Sequence, residues 1–500
     1  MSSLSVALRN VSFAYDSTVQ PVFTDLSLHL SRGFTGVVGA NGAGKTTLLR
    51  LVAGELAPSS GAIEGGVASV FCAQRTDDPP PRLQDFLDDW DGEACELKGR
   101  LNIEADCFER WTSLSHGERK RAQIAHALWQ SPTLLVIDEP TNHIDETCRT
   151  LLVESLVRYA GVGVIVSHDR ALLDQLCHQV VWLDPPQAEV FSGGYSQARA
   201  QRQTRRETAL RQRSKAVSEN KRLHRELVQR RERAAREHSV RSKRGLSATD
   251  SDAREKINRA RLTDGGAGSE LRQLKGRVAQ ASARLDAARV SREYQTGVHL
   301  AGSPSHRDAI LNLPAGDIPL GDRRRLKWSD ICILPDARIA ITGRNGAGKS
   351  TFIHHMVPRL NVPTDKVVVL AQEIPASVSR ATLAQVRALP KAELGRIMTI
   401  VSRLNSRPGR LLDSIEPSPG EMRKLLLALG MSRSPHVIVM DEPTNHLDLP
   451  SIEALEDALL NCPCAVVLVS HDRSFLSRIG ATEWRIQEDA QGDSVLDSSA

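Results

Sequence analysis

The chain has 500 residues, 25% of them charged and 40% hydrophobic, with a formal net charge of +5. That length suits about two to four domains with cores of their own, and no stretch approaches the roughly 18 continuous apolar residues of a membrane-spanning helix. Eight cysteines are scattered without a CxxC pair, and Met1-Ser-Ser-Leu-Ser-Val lacks the basic start and apolar block of a secretion signal, so reduced thiols and a cytoplasmic location are expected.

In chain order, short strands are expected at residues 6–15, 26–30 and 35–39. The third runs into Gly39-Ala-Asn-Gly-Ala-Gly-Lys-Thr46 and then a helix. Glycines there let successive backbone N–H groups turn toward an anion, and the helix N-terminus adds its dipole. Lys45 would reach the outer phosphates of a nucleotide, and Thr46 would offer a hydroxyl to Mg²⁺. The candidate nucleotide-binding set is Gly39, Asn41, Gly42, Gly44, Lys45, Thr46 and Thr47. Tyr15 stands where an aromatic could stack on adenine, or simply fill core. Gln74 ends a strand and is either a Mg²⁺ ligand or polar surface.

Leu114-Ser-His-Gly-Glu118 opens a helix. Ser115 and Glu118 form a capping box by spacing; with Gly117 they could also present a helix N-terminus to a nucleotide. Thr133-Leu-Leu-Val-Ile-Asp-Glu-Pro140 is an apolar strand ending in two acids. Asp138 would hold Mg²⁺, and Glu139 would polarise the attacking water. The strand at 161–166 delivers His168, a candidate γ-phosphate contact.

The bridge follows. Residues 198–293 carry 27 Lys and Arg against 12 Asp and Glu, an excess of 15, while the rest of the chain, with 38 and 48, carries −10. Such asymmetry points to a polyanion. Residues 197–237 contain no Gly or Pro and should form one helix of about 40 residues, roughly 60 Å long. A return helix is expected from Leu271, Leu274, Val278, Ala281, Leu285 and Ala288, spaced for a single partner helix. Between them, residues 239–269, with Gly245 and Gly265-Gly-Ala-Gly268, should be an irregular tip carrying Arg241, Lys243, Arg244, Arg254, Lys256, Arg259 and Arg261. RNA is favoured over a merely solvated helix face, and duplex DNA stays open because phosphate contacts carry no sugar information.

The remainder repeats the beginning. Gly343-Arg-Asn-Gly-Ala-Gly-Lys-Ser350 lies 304 residues after its first copy; Asp441-Glu-Pro-Thr-Asn-His-Leu-Asp448 and Ser470-His-Asp-Arg473 lie 303 after theirs. The matching set is Gly343, Asn345, Gly346, Gly348, Lys349, Ser350 and Thr351, with Gln372, Asp441, Glu442 and His471. Asp441, Ser350 and Gln372 would be the metal ligands, as Asp138, Thr46 and Gln74 are in the first copy. Strands are expected at 310–314 and 332–334. Ile318-Pro-Leu320 stands where Tyr15 has its counterpart, which puts adenine stacking there in doubt. The second signature is degenerate, Glu416-Pro-Ser-Pro-Gly-Glu421: Ser418, Gly420 and Glu421 remain, but Pro419 removes a backbone N–H.

Walker A, glutamine loop, signature, Walker B with its glutamate, and histidine, in that order and twice, resemble an ABC ATPase. Two such cassettes, the DEPTNHLD-type motif, a charged bridge and Phe191-Ser-Gly-Gly-Tyr-Ser196 resemble the ABC-F family. The resemblance implies an α/β fold of two P-loop ABC ATPase domains, 1–197 and 296–500, joined by a long antiparallel α-helical hairpin linker, 198–295. It implies ATP and Mg²⁺ as ligands and hydrolysis of ATP. It also implies head-to-tail pairing of the cassettes within one monomer, so that Ser418 and Gly420 complete the Lys45 site, and Ser115 and Gly117 the Lys349 site. The Lys45 site should then turn over more slowly. The implied partner is the ribosome, with rRNA and P-site tRNA met by the linker, as a translation factor or in protection from antibiotics. A DNA-associated tandem ATPase is the alternative, and the ATPase half of a transporter is weaker because it leaves the bridge without a role.

Overall fold

The computed structural model describes residues 4–16, 21–65, 68–142, 144, 146–240, 265–287, 302–321, 324–372, 374–406, 408–414 and 417–498. The basic tip residues Arg241, Lys243, Arg244, Arg254, Lys256, Arg259 and Arg261 lie outside these, as do Asp145, Ala288 and Glu416. Two compact units result, Met1–Ala198 with Tyr294–Ala500, and Arg199–Glu293.

The first copy is built on a six-stranded sheet in the spatial order Ser69–Cys72, Leu134–Asp138, Val162–Val166, Gly33–Gly39, Cys177–Asp184, Gln187–Ser192. The first five strands run parallel, and the last returns antiparallel. Every residue of Leu134–Asp138 and Val162–Val166 is buried, as strands covered on both faces must be. Because these strands are parallel, the loop after Gly39, the carboxylate of Asp138 and the segment holding His168 emerge on one edge. A separate antiparallel sheet of Phe23–Ser31, Ser5–Phe13 and Ser60–Glu64 lies outside it in the pairing.

The second copy repeats the parallel core as Val367–Leu370, Val437–Asp441, Ala465–Val469, Arg338–Gly343 and Thr482–Glu488. Its opening differs from expectation. The strands expected at 310–314 and 332–334 appear as Leu311–Leu313 and Ile331–Ile333, which pair antiparallel, but between them Gly316–Gly321 and Arg324–Trp328 form a hairpin that joins the main sheet through Ser494–Asp497. The charged run Arg324-Arg-Leu-Lys-Trp328 conceals a strand, because only Leu326 and Trp328 are buried and they alternate with basic residues.

In the bridge, one helix spans Tyr195–Val240, 46 residues, about 69 Å at 1.5 Å per residue. The return helix is Gly265–Ala287. Gly265-Gly-Ala-Gly268, expected in the irregular tip, is therefore helical: once a helix exists, extending it through a glycine costs only about 1 kcal/mol relative to alanine. Leu223 and Leu227 cluster with Leu274, Val278 and Ala281, and Ser282 donates to Asn220 at 3.4 Å. High numbers on one helix thus meet low numbers on the other, so the pair is antiparallel.

Candidate nucleotide sites

The first P-loop passes from Gly33–Gly39 into the helix Lys45–Val52 through Gly44, at φ 87°. A Cβ there would lie 2.5 Å from Val22 and 2.9 Å from Phe23, so both the left-handed backbone and the close packing require glycine. Lys45 Nζ folds over the loop, donating to the carbonyls of Gly39 at 3.0 Å and Ala40 at 3.3 Å. Thr46 Oγ1 donates to Asp138 Oδ2 at 2.8 Å. Burial pushes the Asp138 carboxyl up, against the Thr46 hydrogen bond. Glu139 lies at φ 46°, a left-handed backbone rare for a side chain of this kind and a mark of stored strain. Its Oε1 is 2.9 Å from His168 Nε2. Burial works to raise the Glu139 carboxyl, but His168 and Lys45 beside it hold it below the usual carboxylate range.

The second site repeats this with one change. Lys349 Nζ donates to Gly343 at 2.7 Å and Arg344 at 3.0 Å, Ser350 Oγ donates to Asp441 Oδ2 at 2.6 Å, and Glu442 lies at φ 49°. His471 Nε2, however, is 3.1 Å from Lys349 Nζ and 3.2 Å from Asn345 Oδ1, and 3.6 Å from Glu442. Burial pushes the Glu442 carboxyl above the usual range, with Asp441 adding to the shift and Lys349 opposing it.

The clefts over these loops draw on both copies. That at Lys45, about 490 Å³, is lined by Tyr15, Asn41, Gly42, Gly44, Thr46, Thr47, Gln74, Asp138, Glu139 and His168, and from the second copy by Ser418, Pro419, Gly420, Glu421 and His446. That at Lys349, about 570 Å³, gathers Asn345, Gly346, Gly348, Ser350, Thr351, Gln372, Asp441, Glu442 and His471 with Leu320 and Arg324. Its far wall is Thr141, Asn142, Glu146 and Arg149 rather than the expected Ser115 and Gly117. Both signatures form complete capping boxes, Ser115 with Glu118 and Ser418 with Glu421. Pro419 sits in the first turn of its helix, where a missing N–H costs the helix nothing. Tyr15 faces the cleft rather than the core: it is 38% exposed, edge-on to Phe13, with its hydroxyl 2.9 Å from Thr47 Oγ1.

Three residues at these sites were not singled out from sequence. Asp448 accepts from the backbone N–H of Asn41 at 2.6 Å, while Asn41 Nδ2 donates to the carbonyl of His446 at 3.1 Å, so the second copy's loop touches the first P-loop directly. The signature helices also carry buried cations at matching positions. Lys120 Nζ donates to the carbonyls of Ala73 and Asp138. Arg423 donates to the carbonyls of Glu442, Asn445 and Gln372. Each ties its signature helix to the end of its Walker B strand. A basic residue two places after Glu118 or Glu421 was the signal, lost among the other charges of those helices.

Residues 23–142 and 326–445 match the family described as ABC transporter. The chain is 30% identical over 566 residues to the tylosin resistance ATP-binding protein TlrC of Streptomyces fradiae, covering 97% of this chain and 98% of that one. It is 28% identical over 488 residues to the ribosome protection protein VmlR of Bacillus subtilis, covering 95% and 85%. Among solved structures, the archaeal ribosome recycling factor aABCE1, in complex with the stalk protein aP1, superposes with a TM-score of 0.62 at 17% identity over 97% of this chain and 89% of that one. Among the described residues no helix is long and apolar enough to cross a membrane. With two complete sets of P-loop, paired acid and histidine on this fold, the chain belongs to the ABC-F family of tandem ATP-binding cassette ATPases.

Proposed function

We propose that the chain is a cytoplasmic Mg-ATPase whose two cassettes close head to tail on ATP, and which binds the ribosome in that closed state through its basic hairpin. The observation that carries the clamp is the Lys45 cleft, where Asp448 reaches the first P-loop and Ser418 opens a helix on the same space. ATP phosphates there would take the lysine amine, which now rests on its own loop, and the loop amides. The Thr46–Asp138 and Ser350–Asp441 pairs, each with a glutamine lining the same cleft, are hard oxygen donors suited to Mg²⁺. The ion would neutralise charge on the outer phosphates; Thr46, Gln74 and Asp138, and in the second site Ser350, Gln372 and Asp441, would hold it. Glu139 and Glu442 then orient and polarise the attacking water, with His168 and His471 as γ-phosphate contacts.

The ribosomal reading rests on the excess of 15 positive charges in the bridge and on near full-length similarity to proteins named for ribosome protection and tylosin resistance. In this reading the hairpin meets rRNA and P-site tRNA, and the protein acts on translation or shields the ribosome from an antibiotic. Sucrose-gradient sedimentation of the Glu139→Gln, Glu442→Gln double variant with ribosomes tests it. ATP-dependent co-migration is expected, weakening with salt by roughly 0.7–0.9 log units per phosphate contact for each tenfold rise in salt. Migration at the top of the gradient with ATP at both low and high salt would sink the ribosomal reading and turn attention to duplex DNA.

A further inference from the structure

We infer that Tyr195 and Glu453 are positioning residues that couple closure of the Lys45 cleft to the root of the long bridge helix. The shared part is the second copy's helix Leu449–Leu460. Its N-cap, Asp448, accepts from Asn41 of the first P-loop at 2.6 Å, and Leu449 is buried in the first copy's core. One turn on, Glu453 accepts from the Tyr195 hydroxyl at 2.8 Å. Another turn on, the fully buried Glu456 pairs with Arg170 at 2.8 Å. Residues 449, 453 and 456 share one helix face by their spacing of four and three. With its N-cap, that helix is held by the first copy at three places: a P-loop amide, the arginine two residues after His168, and Tyr195.

Tyr195 is also the first residue of the 46-residue helix Tyr195–Val240. It is fully buried and stacks on Trp182 with centroids 5.9 Å apart and planes 22° apart. Moving Leu449–Leu460 away from the first P-loop must break the Asn41, Arg170 and Tyr195 contacts together, because all three sit on one rigid helix. Two of them would leave a buried carboxylate short of a partner, so they break or form as a set rather than in turn.

The duplication supplies an internal control. At the 303-residue offset Glu453 and Glu456 correspond to Thr150 and Val153. Arg170 alone has a like residue, Arg473, which is 78% exposed and lies 3.6 Å from Glu146. The brace is therefore specific to the side that carries the bridge helix, which a general requirement of cassette packing would not produce.

The inference rests on the ATP-clamp reading and is independent of the ribosome. Hydrogen exchange of the full chain, read by mass spectrometry in the Glu139→Gln, Glu442→Gln background with Mg-ATP or ADP, tests it. ATP should slow exchange both in residues 39–52 and in residues 193–208. Adding Tyr195→Phe should leave the slowing at 39–52 intact and reduce that at 193–208 about tenfold, the size expected for losing a hydrogen bond to a charged group. Glu453→Gln, which keeps the shape and weakens the acceptor, should fall between. Unchanged slowing at 193–208 in Tyr195→Phe overturns the coupling. So does loss of slowing in both segments, since the pair would then be holding the cassettes together rather than transmitting their closure. Absence of ATP-dependent slowing at 39–52 in the background protein itself would remove the clamp and the coupling with it.

Discussion

The Lys45 and Lys349 clefts are made from the same strand ends, yet their far walls differ. Over Lys45 the second copy contributes Asp448 to a P-loop amide, a helix N-terminus at Ser418 and, behind them, the buried Glu456 that pairs with Arg170 of the first copy. Over Lys349 the first copy contributes Thr141, Asn142, Glu146 and Arg149, and Ser115 does not line the cleft. Glu139 is engaged by His168 at 2.9 Å, whereas His471 has turned toward Lys349 and stands 3.6 Å from Glu442. The second copy's signature lines the first cleft, and the first copy's does not line the second. One duplicated sequence thus has a braced site and an unbraced one, and turnover should be faster at the unbraced Lys349 site.

The largest expected effect is on hydrolysis. Glu442→Gln alone should lower the steady-state rate by about 100-fold or more, the range for removing a general base, and Glu139→Gln alone should lower it only a few-fold. Steady-state phosphate release from the two single variants decides the matter. Equal losses would show that the braced cleft hydrolyses as fast as the other and that Pro419 does not handicap it.

Next is stability. Arg170→Met strips a partner from Glu456, which is fully buried and among the described residues keeps Arg478, at 3.3 Å. A cost of about 2–3 kcal/mol is expected, at the low end for truncating one member of a buried charge pair because the second arginine stays. Arg473→Met, its counterpart on an exposed surface, should change stability by less than about 0.5 kcal/mol. Thermal unfolding of the two variants side by side would show the asymmetry as a shift of several degrees against nearly none.

A smaller effect is expected where Asp448 meets Asn41. Asp448→Asn keeps the size and the N-cap while weakening the bond across the copies, and should weaken ATP binding at the Lys45 site about tenfold, as for one hydrogen bond to a charged group. Titration with a fluorescent ATP analogue reads this, and an unchanged affinity would mean that the contact accompanies closure without favouring it.

What the sequence revealed and what it hid follow from how far each contact reaches. P-loop, Walker B, histidine and capping boxes are runs of a few residues whose geometry is local, so Lys45, Asp138, Ser115 and Glu118 were readable as they stood. Asn41–Asp448 and Tyr195–Glu453 join residues 407 and 258 apart, and no periodicity or composition encodes such a meeting. Lys120 and Arg423 were not singled out, because nothing local sets them apart from the charges around them, though both are buried and bound to carbonyls. Arg324–Trp328 was missed because its buried face is two residues long. The glycines 265–268 were assigned to a loop by propensity, which the helix they extend outweighs.

The finest test of the difference between the clefts is the base-binding wall. Tyr15 lies beside the first P-loop with its ring open to the cleft, whereas Leu320 packs on the second, its Cδ2 within 2.5 Å of where a Cβ on Gly348 would stand. An aromatic face offers adenine a stacking surface worth about 1 kcal/mol beyond simple burial, roughly fivefold in affinity. Leucine offers area without the ring. Tyr15→Leu should therefore weaken ATP binding at the Lys45 site about fivefold, while leaving inorganic triphosphate binding unchanged, because the phosphates are held by the loop and Lys45. The reciprocal Leu320→Tyr should gain less, since the new ring must first displace packing against Gly348. If Tyr15→Leu weakens triphosphate as much as ATP, the hydroxyl contact to Thr47 is its main contribution and Tyr15 supports the P-loop rather than the base.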